Sequence, residues 1–139
     1  MRSLLFGGVK GNSRAFDLGL LPLRVCAGLA LALTHGLEKV PPTPQFVAHV
    51  GELGFPVPIV FALAAAVAEV GGGLLLALGL LTRPSAFLIL CTMLVAFFLE
   101  HARDPFAAKE KAFLFGNIAF LFLCLGAGRY SLDARFVKR

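Results

Sequence analysis

Residues Phe55–Thr82 read FPVPIVFALAAAVAEVGGGLLLALGLLT, and these 28 residues carry a single charge, Glu69. A lipid hydrocarbon core about 30 Å thick is crossed by roughly 20 apolar residues, each rising about 1.5 Å along a helix. The stretch is long enough for that. It is too apolar to sit in water without a large polar shell around it. The whole chain has only 139 residues, 58% of them hydrophobic and 15% charged, with a mean hydropathy of +0.86. Soluble domains are nearer 45–50% apolar. No polar shell can be built from so few charges, so the apolar surface faces lipid.

Working outward, the same pattern recurs. Leu18–Leu37 carries only Arg24 and His35, and neither Ser85–Leu99 nor Ala112–Gly128 carries a charge. The runs predict helices at about 17–38, 58–81, 84–102 and 106–125, an all-α bundle of four transmembrane helices. The boundaries follow from Pro84, which opens a helix, from Asp104-Pro105, which breaks the chain, and from Gly126-Ala127-Gly128 at the end. Three sections result: a basic leader over 1–17, the membrane domain over 18–128 and a basic tail over 129–139. A signal peptide at the start is disfavoured because Arg24 interrupts the apolar run. The longest loop is punctuated by Pro41, Pro42, Pro44, Pro56 and Pro58. Within it Thr43 can cap a helix that Pro44 opens and Gly54 stops. Phe46, Val47, Val50 and Leu53 then share one face, which predicts a short amphipathic helix on the membrane surface. Ala64, Ala65, Ala66 and Ala68 followed by Gly71-Gly72-Gly73 let neighbouring backbones approach, so the second long helix is expected to be central. The same small-residue face would suit a homo-oligomer.

The net charge of +5 does not point to nucleic acid. Eight Lys and Arg lie at the termini and in the turn at Arg83, against four on the opposite side. The positive-inside rule therefore puts both termini in the cytoplasm of a bacterial inner membrane. Cys26, Cys91 and Cys124 all fall inside apolar runs without a CxxC pair, and are read as small buried hydrophobes.

An ionisable group inside a spanning helix needs a partner or a purpose. Arg24 lies in the first helix and Glu69 midway along the second, so an Arg24–Glu69 ion pair is expected, with Glu69 as the floor of a polar pocket. At the outer face the ends of three helices carry His35 and Lys39, Glu100 and His101, and Glu110. Histidines among carboxylates suit proton transfer near neutral pH. They also suit a divalent metal, although no HxxxH or HExxH spacing is present. There is no CxxCH haem attachment, and the triple glycine follows no strand, so it is not a phosphate loop. No intrinsic cofactor is evident.

Leu23-Arg24, His35-Gly36-Leu37-Glu38-Lys39, Gly54-Phe55-Pro56, Glu69 with Gly71-Gly72-Gly73, Leu78-Gly79-Leu80-Leu81-Thr82-Arg83, His101 and Gly128-Arg129-Tyr130-Ser131-Leu132-Asp133 stand in an order and spacing that resembles the DoxX family of small bacterial membrane proteins. The resemblance covers about 21–136, departing only where Gly126-Ala127-Gly128 replaces an expected Gly-Pro-Gly. It implies a four-helix membrane bundle linked to redox chemistry, with Arg24, His35, Lys39, Glu69 and His101 on the family pattern. The leading expectation is a membrane subunit of a quinone-dependent oxidoreductase. Glu69 and His101 would hold or relay protons, and Arg24 would fix the charge of Glu69. Arg24, His35, Lys39, Glu100 and Glu110 would line the substrate site. A quinone is the candidate ligand, and a protein partner would carry the redox cofactor. The competing expectations are a non-enzymatic assembly factor or chaperone for a membrane or exported partner, and a small transporter or metal handler.

Overall fold

A computed structural model describes residues 14–137, and among these every regular element is helical. Four long helices are α1 (Arg14–Lys39), α3 (Pro58–Leu78), α4 (Thr82–Glu100) and α5 (Phe106–Leu125). Two short ones are α2 (Pro44–Glu52), between α1 and α3, and α6 (Leu132–Val137), after α5. By length and composition α1, α3 and α4 can each cross a membrane. Helix α5 is long enough too, but carries Lys109, Glu110 and Lys111 near its start.

Local chemistry sets the boundaries. Thr43 caps α2 by accepting from the Phe46 N–H at 3.2 Å, and Pro44 takes the first turn, where its missing N–H costs nothing. Helix α3 stops earlier than the apolar pattern predicts, at Leu78 and not Leu81. Gly79 there adopts φ +66°, a left-handed conformation that glycine enters without steric cost. Helix α4 then begins at Thr82, two residues before Pro84. Residues 1–13 of the basic leader lie outside the described residues. Its last residues already belong to α1, and Asp17 is buried.

Helix α3 is the centre of the bundle, as its small residues predict. A Cβ on Gly28 of α1 would come within 2.5 Å of the Gly73 carbonyl oxygen, and one on Gly36 within 2.8 Å of the Val70 nitrogen. On its other side α3 meets α4 at Gly72, where a Cβ would sit 3.3 Å from Ile89. Helix α5 packs mainly on α4. The core is formed by Leu20, Leu31, Leu76, Ile89, Met93 and Phe122. Large apolar side chains such as Leu33, Val67, Phe98 and Phe120 point outward, as a lipid-covered surface requires. Cys26, Cys91 and Cys124 are also exposed, contrary to the expectation of burial. In lipid both faces of a helix are apolar, so an apolar run does not tell a thiol which way it points.

Three of the long helices contain a widened π turn: Leu31–Gly36 in α1, Ala68–Gly72 in α3 and Ala96–Glu100 in α4. Such turns shift the side chains that follow by about one residue and recur at functional sites. The first two pack on each other. Because Gly36 sits level with Val70, α1 ends one turn later at Lys39, while α3 runs on from Glu69 to Pro58, about 16 Å at 1.5 Å per residue. The segment 40–57, with α2, fills the space beyond the end of α1. Its more buried face is Phe46, Val47, Val50 and Leu53, and it packs on the Pro58–Val67 half of α3.

Candidate functional site

The expected Arg24–Glu69 pair does not form. Arg24 is 2% exposed and donates to three backbone carbonyls: Nε to Ala77 at 3.3 Å, Nη1 to Ala127 at 2.7 Å and Nη2 to Tyr130 at 3.0 Å. Ala77 lies in the last turn of α3 and Ala127 just past the end of α5. Helix C-termini present unpaired carbonyls and partial negative charge, so a guanidinium between two of them is well matched. The complementary device sits beside it. Asp133 of α6 accepts from the Leu81 and Thr82 N–H groups at 2.8 and 2.9 Å, at the start of α4, while its own N–H donates to the Gly79 carbonyl. Asp17 accepts from the Arg129 N–H at 3.0 Å. Its Oδ2 lies 2.6 Å from Arg129 Nε, an ion-pair contact off the line of a good hydrogen bond. The stretch read as a basic tail is thus docked on the bundle through Arg129, the Tyr130 carbonyl and Asp133, which charge counting alone did not reveal.

Glu69 pairs instead with Lys39, Nζ to Oε1 at 2.6 Å. Glu69 is 2% exposed and the Lys39 side chain 28%. Lys39 stands at the end of α1, and its flexible stem reaches along α3 to a carboxylate that Arg24, on the far side of the Gly28–Gly73 contact, cannot approach. The second oxygen, Oε2, is buried and meets no hydrogen-bond donor among the described residues. Lys39 lines a pocket of about 260 Å³ between α2, α3 and α4. Its walls include Phe46, Val50, Phe61, Ala65 and Val95, and it also reaches His49, Cys91 and Glu100. His49 Nε2 is 3.7 Å from Glu100 Oε1, too long for a hydrogen bond.

Of the residues the sequence singles out, the structure therefore gathers Lys39, Glu69 and Glu100. It does not bring His35 and His101 together. The His35 ring meets Phe115 of α5 edge-on at 5.9 Å, and His101, just past α4, bonds Asp104 in its own loop at 2.8 Å. Neither lines the pocket, nor do Arg24 and Glu110, and Glu110 is exposed. The helix ends do share one side of the bundle, but His35 and His101 spend their contacts on Phe115 and Asp104. Among the described residues no three His, Cys, Asp or Glu side chains are close enough to share a metal ion. Sequence reasoning missed His49 and Cys91. His49 is three residues after Phe46 and next to Val50, on the edge of the apolar face of α2, and that spacing was readable.

Chemically, the pocket is an apolar slot with a polar floor. Lys39 can donate to a carbonyl oxygen, and the Glu69 carboxylate behind it can hold a proton. The chain matches the DoxX family over residues 19–102. It is 37% identical over 84 residues to an uncharacterized protein of Haemophilus influenzae, covering 55% of this chain and 63% of the relative, a little under two thirds of that protein's length. It is 33% identical to the Escherichia coli "Inner membrane protein YqjF", over 88% of this chain and 95% of YqjF. It is 30% identical to the Bacillus subtilis protein named "Putative oxidoreductase CatD", over 71% and 72% of the two chains. No solved structure matches the chain. The chain belongs to the DoxX family of membrane proteins.

Proposed function

We propose that this DoxX-family protein is the membrane subunit of a redox system, and that the pocket above Lys39 and Glu69 receives a quinone. All four long helices cross the inner membrane, with both termini on the cytoplasmic side and α2 at the outer boundary. The observation that carries the reading is Lys39 in the wall of a largely apolar pocket, paired at 2.6 Å with buried Glu69 behind it. A flat apolar ring bearing carbonyl oxygens matches those walls and that floor. Lys39 donates to one carbonyl oxygen and so stabilises the negative charge that grows there as electrons arrive. Reduction of a quinone to a quinol takes two electrons and two protons. The Glu69 carboxylate, linked to the ring through Lys39, holds and passes protons. The electrons come from a partner protein carrying a redox group of its own, since the chain has no haem-attachment or nucleotide-binding motif. The name of the Bacillus subtilis relative points in the same direction.

The test is a thermal unfolding titration in detergent with a tail-less, fully substituted benzoquinone. A ligand at 100 times its Kd stabilises a protein by about 2.7 kcal/mol. The expected result is a saturable rise in Tm that Lys39→Met abolishes. No rise, or the same rise in Lys39→Met, would overturn the reading.

A further inference from the structure

We propose that the ligand of this pocket enters sideways from the bilayer, through a cleft between the outer halves of α3 and α4. Its head is uncharged and its apolar tail stays in lipid. The inference rests on the quinone reading above and narrows it to tailed, membrane-dissolved molecules.

Three observations carry it. The first is the shape of the helix pair. At Gly72 and Ile89 the two helices touch closely. Beyond the π turn at Ala68–Gly72, the Pro58–Val67 half of α3 turns to α2 and leaves α4 largely uncontacted. The pocket occupies the resulting wedge, with α2 closing one side. On the other side the lining residues Phe61, Ala64, Leu88 and Cys91 are exposed at the outer surface of the bundle. Leu88 and Cys91 lie six and nine residues into α4, about 9 and 13 Å along it at 1.5 Å per residue. That depth is within the hydrocarbon core and not at the water boundary. The opening therefore faces acyl chains.

The second is volume. About 260 Å³ lies just below the roughly 300–1,000 Å³ of pockets that enclose a drug-sized molecule. The space suits one substituted ring. A long alkyl or isoprenoid tail on that ring has to leave through the cleft.

The third is charge. Apart from His49, which stands beside Glu100, the charges around the pocket are one ammonium, Lys39, and two carboxylates, Glu69 behind it and Glu100 at the outer end. A phosphate head would meet a surplus of negative charge in a poorly screened site, whereas a neutral carbonyl needs only the Lys39 donor. This favours an uncharged head over that of an anionic phospholipid.

The chain has no tryptophan, so a single one reports on its own surroundings. Leu88→Trp, with Cys91→Trp as a second reporter on the same flank, is reconstituted in nanodiscs of neutral lipid. Phe120→Trp, exposed on α5, is the control. Tailed and tail-less forms of the same fully substituted benzoquinone are titrated, with concentrations expressed per lipid, and quenching is read. The expected result is saturable quenching at the cleft by the tailed form, with a midpoint within about threefold of the tail-less one. The control should show only a linear, collisional decrease. If the tail-less ring saturates in a Lys39-dependent way while the tailed form needs more than tenfold higher levels, the pocket reading stands and sideways entry is overturned. If neither saturates at either reporter, both fall. Displacement of the quinone by phosphatidylglycerol would overturn the uncharged head.

Discussion

The two ends of this bundle bury charge in opposite ways. At the α6 end, each nitrogen of the Arg24 guanidinium donates to a backbone carbonyl, and both oxygens of Asp133 accept from backbone N–H groups. At the α2 end, Lys39 has one carboxylate partner, Glu69 Oε2 meets no donor among the described residues, and His49 and Glu100 stand apart at 3.7 Å. Burying a charge is costly in either place. Where the backbone matches the guanidinium and the Asp133 carboxylate atom by atom, the result is a clasp that ties α1, α3, α5 and the C-terminal segment together. Where a donor stands in the wall of a cavity, as Lys39 does, a ligand can reach it. Burial alone therefore marks neither site. Neither does the count of unmet polar atoms, since among the described residues Asp17 Oδ2 and Thr82 Oγ1 lack a hydrogen bond at the clasp end as Glu69 Oε2 does at the other; the cavity beside Lys39 is what marks the pocket end.

The comparison breaks most visibly at the clasp. Arg24→Leu strands two buried carbonyls and a partly buried third, and should lower stability by about 3–5 kcal/mol, the scale on which buried charge networks fail when one member is removed. Unfolding followed by circular dichroism in detergent would read it. A Tm equal to that of the unaltered protein would mean that water reaches those carbonyls and that the clasp is not structural. The effect at the pocket is smaller. Lys39→Met leaves Glu69 without a partner and should cost about 1–3 kcal/mol, since Lys39 is partly exposed and the site can rehydrate. Combining it with Glu69→Gln should restore most of that loss but not quinone binding, giving a coupling of about 0.5–3 kcal/mol in a double-mutant cycle. Strict additivity of the two changes would show that the pair is not coupled.

The membrane character of the fold was legible because lipid leaves the chain few options. Charge-free runs near 20 residues have to be helices, and Thr43-Pro44 announces α2 by capping chemistry alone. The pairing of buried charges was not legible. Sequence gives a residue's distance along its own helix, but not the offset between helices. Here α1 is displaced toward the clasp, so Arg24 reaches the ends of α3 and α5 while Lys39 drops onto Glu69. Facing was equally hidden: His35 packs on Phe115 and His101 bonds Asp104 in its own loop, and the cysteines are exposed. The early stop of α3 depends partly on Asp133, more than 50 residues further along, which no local pattern reveals.

The smallest expected effect on stability sharpens the comparison furthest. Glu100 is 39% exposed, and among the described residues no backbone donor meets it in the way that Asp133 is met. Exposed ion contacts of this kind contribute about 0–1 kcal/mol, so Glu100→Lys should shift stability by less than about 0.5 kcal/mol. It does, however, reverse the charge around the pocket, from one ammonium facing two carboxylates to two ammoniums facing one. Phosphatidylglycerol, excluded from the unaltered pocket, should then compete with the tailed quinone, most strongly at low ionic strength, where surface charges are least screened. Competition that is absent in both proteins would show that charge does not select the head, and that only the apolar walls do. A stability loss as large as that of Arg24→Leu would place Glu100 in a second clasp and erase the contrast between the two ends.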